Sequence, residues 1–373
     1  MLIYLELLVF LFAVMVLSRV FFKKTKHQKI FCLILSAIAV YLVLALKAPC
    51  VGRDIAGYKQ MYEAFKSASW SNYDLYWTET GYEFLEMFFT HTLGFSFQGF
   101  AATVYAFVIL SYSIFFYKYS EDVTISFIIY ISFGFFTFDI SGIRNMLSIA
   151  IVLLAVIFAE KKSFWLSLIY FALVVLAAQI HRGAYYCILM YFFIRFPMEK
   201  SKKIVLPLFA VAALAFRPFA NSILAFLDTQ KKVEQITIGG NIIAYIFILA
   251  FPFILWYVGK RENDSKQKYT GAKTQQITSK DYFKSLEMPL RVFYFGIVTV
   301  VLAGVGKSTL VRVAQPALFF MTLVLPNSLQ KLEPKSRLIM KTAVCLLLCV
   351  YFYIFKLRAN DLDMCPYVFY WNY

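Results

Sequence analysis

Long apolar runs alternate with short polar connectors along almost the whole chain. The runs fall near 2–21, 30–48, 95–117, 123–139, 141–159, 163–180, 183–196, 204–220, 241–259, 289–306, 310–329 and 338–356. A helix needs about 20 mostly apolar residues to cross a hydrocarbon layer about 30 Å thick, so the pattern predicts about twelve transmembrane helices. The runs at 123–139, 183–196 and 204–220 are short for that task. The first run lacks a charged leader and a small-residue cleavage site, which predicts a retained span rather than a cleaved signal. No Gly/Ser linker and no internal repeat interrupts the series, so a single all-α membrane domain over 1–373 is expected.

Composition narrows the class. Hydrophobic residues make up 61% of the chain and charged residues 16%, against about 45–50% and about 25% in soluble domains. A soluble enzyme, a disordered chain, a collagen and a coiled coil are excluded. The net charge of +16 has no soluble basic domain to carry it, so no nucleic-acid partner is expected. Most Lys and Arg fall on one set of connectors, which holds Arg19, Lys23, Lys24, Lys26, Lys29, Lys161, Lys162, Lys200, Lys202, Lys203, Lys331 and Lys335 among others. The richer side is the cytoplasmic one, which puts both termini outside. Two connectors are long. The inner one, 260–288, is rich in Lys, Gln and Thr and reads as a solvated cytoplasmic loop. The outer one, 49–94, is rich in Tyr, Trp and acids.

Polar groups near membrane depth are costly, and here most of them lie on the outer side. At 50–58 (C-V-G-R-D-I-A-G-Y) Arg53 and Asp54 sit between Gly52 and Gly57, where the backbone can bend or approach a ligand closely. Arg53 can hold phosphate and Asp54 can orient it or act as a base; equally, the two can be a snorkelling pair at a membrane end. At 77–89 the spacing of Glu79, Glu83 and Glu86 puts three acids on one helix face, with Phe84, Leu85, Phe88 and Phe89 towards lipid or the spans. This predicts an interfacial helix. Aromatics at 70, 73, 76, 77 and 82 suit either sugar stacking or an aromatic belt.

At 138–148 Asp139 and Arg144 fall at a short outer turn, with Arg144 about one turn (5.4 Å) inside the next span, where it needs a partner or an anionic ligand. At 178–186 His181 and Arg182 mark another outer turn; the histidine suits acid–base work or a structural hydrogen bond. The stretch 304–312 superficially suggests a phosphate loop, but position 301 is Val where the pattern needs Gly, so nucleotide binding is rejected. Arg312 still begins a span there. The aromatic tail, 361–371, is expected outside, folded back over an outer cavity. His27, His91 and His181 make no metal-ligand spacing, and no serine nucleophile elbow is present. Cys32, Cys187, Cys345 and Cys349 lie inside spans; Cys50 and Cys365 both fall outside, where they can pair or stay as thiols.

The order of these clusters resembles the EpsG family of polysaccharide polymerases, relatives of the Wzy O-antigen polymerases. The matching pieces are V-G-R-D…Y at 51–58, E-T-G-Y-E at 79–83, G-I-R-N-M-L-S-I-A at 142–150, I-H-R-G-A at 180–184, R-x-x-Q-P-x-x-F-F…L-P at 312–326 and P-Y at 366–367. The chain has Gly142-Ile143 where that family often has Gln before the Arg, and Arg182 where it often has a small residue or Pro after the His. The resemblance implies a GT-C-like helical fold in a bacterial inner membrane. It implies joining of repeat units carried on undecaprenyl diphosphate, at the outer leaflet, without metal, nucleotide or other cofactor. A chain-length regulator and a flippase of the same pathway are the implied partners. On that reading Asp54, Glu79 and His181 are candidate bases, Arg53, Arg144, Arg182 and Arg312 bind diphosphate, and Tyr58 and Tyr82 contact sugars. A lipid-linked oligosaccharide flippase or carrier also suits the span count, but the polar groups favour the outer face over the midplane. A glycan ligase or an O-acetyltransferase is the remaining rival, and the inner connectors offer no donor site for acyl transfer.

Overall fold

A computed structural model describes residues 1–22, 25–70, 79–195, 245, 247–257, 283–302 and 308–373. The expected span at 204–220, the inner loop up to 282, the aromatics at 73, 76 and 77, and the glycine-containing piece 303–307 lie outside the described residues. The described residues are helical, and their one β feature is an isolated bridge between Lys47 and Phe369. They form two compact units: Met1–Lys118, Phe127–Ile188 and Cys345–Tyr373 in one, Tyr119–Ser126 and Leu189–Val344 in the other.

Helices dominate because lipid offers a backbone no hydrogen-bond partners, so each span must satisfy its own. In the first unit α1 (Leu2–Phe21) packs on α2 (Thr25–Ala45), and the Gln28 amide donates to Ser18 Oγ at 3.1 Å between them. The connector at 49–94 then holds α3 (Ile55–Phe65) and α4 (Thr80–Met87). A long α5 (Phe97–Tyr119) follows. Next come α6 (Val123–Ser132) and α7 (Phe135–Ser141), bent by 63° at their junction. The run expected as one span at 123–139 is therefore broken in two. An antiparallel pair, α8 (Ile143–Ala159) and α9 (Phe164–Ile180), completes the unit's core. Each has 17 residues, or about 25 Å at 1.5 Å per residue, near the lower limit for a span. The short connection between them leaves the start of α8 and the end of α9 at the same end of the pair.

After a 3-10 turn at Arg182–Tyr186 comes α10 (Cys187–Arg195). The described residues of the second unit also include α11 (Phe247–Tyr257), α12 (Glu287–Leu302), α13 (Ser308–Leu318) and α14 (Met321–Leu329). The run at 310–329 is thus two helices rather than one span. Each carries a proline, Pro316 in α13 and Pro326 in α14, and proline withholds the N–H that a helix needs four residues earlier. The Thr322 carbonyl, which Pro326 cannot serve, instead accepts from Ser126 Oγ at 2.8 Å. Arg291 on α12 donates to the carbonyls of Phe193 and Ile194, at 2.8 and 2.9 Å, and so closes the end of α10. The last long helix is α15 (Pro334–Phe352). Among the described residues four helices are long and apolar enough to cross a membrane: Leu2–Phe21, Thr25–Ala45, Phe97–Tyr119 and Ser336–Leu357; counting the bent pair makes five. This is a polytopic membrane protein.

The tail folds back onto the start of the 49–94 connector. Ala48 N–H donates to Val368 O at 2.8 Å and Tyr370 N–H to Leu46 O at 2.9 Å. Further along, Gly52 N–H reaches Asp363 O at 3.1 Å and Arg53 N–H reaches Leu362 O at 2.9 Å. Tyr4 OH anchors the tail from α1, donating to Met364 O at 2.7 Å. Cys50 is exposed and Cys365 half-buried, and both carry free thiols.

Candidate functional site

The short helix α4 is amphipathic, with its acids turned inward. Glu83 and Glu86 are fully buried and Glu79, just before the helix, is 7% exposed, while Phe84 is 57% exposed. Next to lipid the exposed phenylalanine is favourable, and of the inward carboxylates Glu79 meets a cation, Arg144. What fixes α4 in place is its contact with the end of α9. A β-carbon at Gly81 would fall 2.7 Å from Gln179 Cβ and 2.9 Å from the Gln179 carbonyl oxygen. Only glycine permits that approach. It brings Glu79 to the end of α9, where His181 closes the helix and Arg182 follows.

Glu79 is the hub. Its Oε2 lies 2.8 Å from Arg144 Nη1. Its Oε1 accepts from the backbone N–H of Arg182 at 3.5 Å and stands 3.7 Å from His181 Nδ1. The last distance is an electrostatic contact rather than a hydrogen bond. Burial alone pushes the Glu79 carboxyl upward, but His181, Arg144 and the Arg182 N–H outweigh it and hold the group at about 2. Glu79 is therefore a fixed anion.

Arg144 sits in the first turn of α8, where the helix dipole already presents positive charge. It needs the carboxylate. It is further held by α3: its Nε donates to Tyr58 OH at 3.3 Å, and its guanidinium carbon lies 5.6 Å from the Tyr58 ring centre and 5.9 Å from that of Tyr82. The two tyrosines meet edge to face at 6.0 Å. The flanking motif is pinned from below. A β-carbon at Gly52, whose φ is +100°, would fall 2.5 Å from the Ile140 carbonyl oxygen of α7, and the Asp54 N–H donates to Ser141 Oγ at 3.1 Å.

Six expected residues thus come together: Tyr58, Glu79, Tyr82, Arg144, His181 and Arg182. Asp54 adjoins them through its backbone as the residue preceding α3. Arg53 pairs with Asp363 of the tail at 3.0 Å, and both side chains are exposed. Gly57 is no bend but lies within α3. Arg312 lies on α13 in the second unit. Asp139, expected at the outer turn, is instead buried in α7, where its Oδ2 accepts from Tyr130 OH at 2.8 Å and Tyr112 OH at 3.1 Å. The sequence reading missed Ser141, Gln179 and Asp363; the glycine of E-T-G-Y-E was the signal that some backbone had to pass closely there. Among the described residues no group of three His, Cys, Asp or Glu has the spacing of a metal site.

The assembly can do two things chemically. Its guanidinium and N–H groups favour an anion, and its histidine, with Nδ1 at 3.7 Å from a permanent carboxylate, has a second ring nitrogen, Nε2, that can take part in acid–base chemistry. No curated protein and no solved structure matches the chain. Residues 30–370 match the EpsG family. That stretch contains every member of the cluster and nearly the whole chain, so the protein belongs to the EpsG family of polysaccharide polymerases.

Proposed function

We propose that the protein polymerises oligosaccharide repeat units carried on undecaprenyl diphosphate, at the outer leaflet of a bacterial inner membrane. The product is a surface polysaccharide of the O-antigen, capsule or exopolysaccharide kind. The observation that carries this reading is the Glu79 hub, which joins Arg144, His181 and Arg182 at one end of the α8–α9 pair. A hydroxyl of the incoming unit attacks the anomeric carbon of the growing chain. The bond between that carbon and the carrier phosphate breaks, and the hydroxyl proton passes to His181 Nε2. Glu79, already ion-paired and held at about 2, orients the histidine rather than taking the proton itself. The departing diphosphate gains negative charge, which Arg144 and Arg182 offset in a partly dry site. A single displacement of this kind inverts the anomeric centre. Asp54 is the second candidate base, and Arg53 and Arg312 are outer candidates for phosphate contact.

The reading includes a GT-C-like Wzy-type fold, both termini outside, metal-independent turnover, and cooperation with a flippase and a chain-length regulator of the same pathway. The test is reconstitution of the purified protein with lipid-linked repeat units. Longer glycans support a polymerase. Movement between leaflets without elongation makes it a flippase, and transfer to a different acceptor makes it a ligase. Reversible inhibition by EDTA would overturn metal independence.

A further inference from the structure

A second group of polar side chains borders the hub and is used by none of the steps above. Thr80 directly follows Glu79, Gln179 lies two residues before His181, and Tyr185 four after it. Thr80 Oγ1 donates to Gln179 Oε1 at 3.4 Å, and Gln179 Nε2 donates to Tyr185 OH at 3.3 Å. Both bonds are exposed and long. Hydrogen bonds to oxygen ordinarily run at about 2.7–3.0 Å, so these two are weak and readily exchanged for bonds to a ligand. Tyr185 is 41% exposed and its aromatic ring can offer a face. The group carries no net charge, in contrast to the neighbouring arginines, yet the same Gly81–Gln179 approach that positions Glu79 also fixes the root of the Gln179 side chain.

We propose that Thr80, Gln179 and Tyr185 form a sugar-reading subsite, which takes a neutral pyranose ring of a repeat unit and sets it beside His181. The amide and the two hydroxyls offer both donors and acceptors, which matches the alternating hydroxyls of a sugar, and the tyrosine face supplies a platform for its C–H surface. The division of labour follows from charge: the arginines of the hub hold the diphosphate, and this uncharged trio distinguishes the sugar. The inference rests on the polymerase reading and adds to it the residues that choose the sugar.

The experiment measures binding and elongation with the full-length protein in detergent. Two probes are used: undecaprenyl-diphosphate-linked repeat units extracted from the producing cell, and undecaprenyl diphosphate without sugar. Gln179→Leu keeps the packing against Gly81 and removes the amide; Tyr185→Ala removes the platform; Tyr185→Phe keeps the ring. Gln179→Leu and Tyr185→Ala are each expected to weaken binding of the glycan-bearing carrier about tenfold, as loss of roughly one ligand hydrogen bond or stacking contact would. Binding of the sugar-free carrier stays as in the wild type in all three variants, and Tyr185→Phe, which keeps the platform and loses only the hydroxyl, weakens glycan binding less than Tyr185→Ala. Equal losses for both probes would show a merely structural role and overturn the subsite. Unchanged glycan binding in Gln179→Leu and Tyr185→Ala, where the wild type elongates the glycan, overturns the subsite alone. A wild-type protein that binds the glycan-bearing carrier but never lengthens it overturns the polymerase reading and this inference with it.

Discussion

Glu79 and Arg144, 65 positions apart in the chain, face each other at 2.8 Å with side chains 7% and 17% exposed. One precedes the short helix α4 and the other opens α8, so their meeting depends on the packing of α4 on α9 and of α9 on α8. Removing one member of a buried pair strands the other charge, at a cost of about 3–5 kcal/mol. Glu79→Gln and Arg144→Gln are therefore each expected to lower the thermal midpoint in detergent clearly. The double variant should recover most of that loss, because neither charge is then stranded. Polymer formation should be absent in all three. An additive loss in the double variant would mean the two groups do not stabilise one another.

The same carboxylate sets an acid response. Glu79 is held at about 2 against an ordinary value of 4.5. A depressed folded value means stability that is full above the unfolded value and is lost as pH falls towards the folded one. The wild type is thus expected to exceed Glu79→Gln in stability by a constant margin above pH 4.5, and the margin should close between pH 4.5 and 2. Unfolding midpoints of the two proteins across that range check it. A margin that closes above pH 5 would show that Glu79 is not held by its cationic neighbours.

Asp139 makes a contrasting case. It is fully enclosed in α7, and its single Oδ2 accepts from two tyrosine hydroxyls on neighbouring helices. An amide oxygen can accept the same two bonds, whereas an aliphatic side chain leaves two buried hydroxyls without their acceptor, about 1–3 kcal/mol each. Asp139→Asn should keep near-normal stability and polymer yield. Asp139→Leu should lower the thermal midpoint strongly, and Asp139→Leu combined with Tyr112→Phe and Tyr130→Phe should regain part of it. Loss of polymer in a well-folded Asp139→Asn protein would instead assign the acid a role in the chemistry.

Class and site were legible to different depths. The apolar runs exposed the membrane helices because lipid enforces backbone self-satisfaction in each span. Arg144 and His181 were legible because charge near membrane depth needs a reason, and a short α8–α9 connection puts their ends together. The bend between α6 and α7 was not, since its apolar pattern runs on unbroken across Phe133 and Gly134 while only the backbone turns. The Arg53–Asp363 pair was not legible, because the two lie 310 positions apart and no local pattern announces that the tail pairs with the 49–94 connector. The inward face of α4 was legible only as a face: the spacing grouped Glu79, Glu83 and Glu86, and the packing of Gly81 on Gln179 decided which way that face turned.

That packing yields the last prediction. Gly81 and Gly57 both lie in short helices of the 49–94 connector, yet their surroundings are opposite. A β-carbon at 81 would enter the space of Gln179, whereas one at 57 meets nothing within 4 Å. In an exposed helix interior Ala is better than Gly by about 1 kcal/mol, so Gly57→Ala should raise the thermal midpoint slightly and leave polymer length unchanged. Gly81→Ala carries the same local gain, but backbone and Gln179 must separate, and overpacking of this kind typically costs about 1–3 kcal/mol. The separation moves α4 off the end of α9 and draws Glu79 away from His181 and Arg182. Elongation should fall more than tenfold in Gly81→Ala even where the thermal midpoint drops only modestly, because the geometry of the hub suffers before the fold does. Equal elongation by the two alanine variants would dissociate the α4–α9 contact from activity.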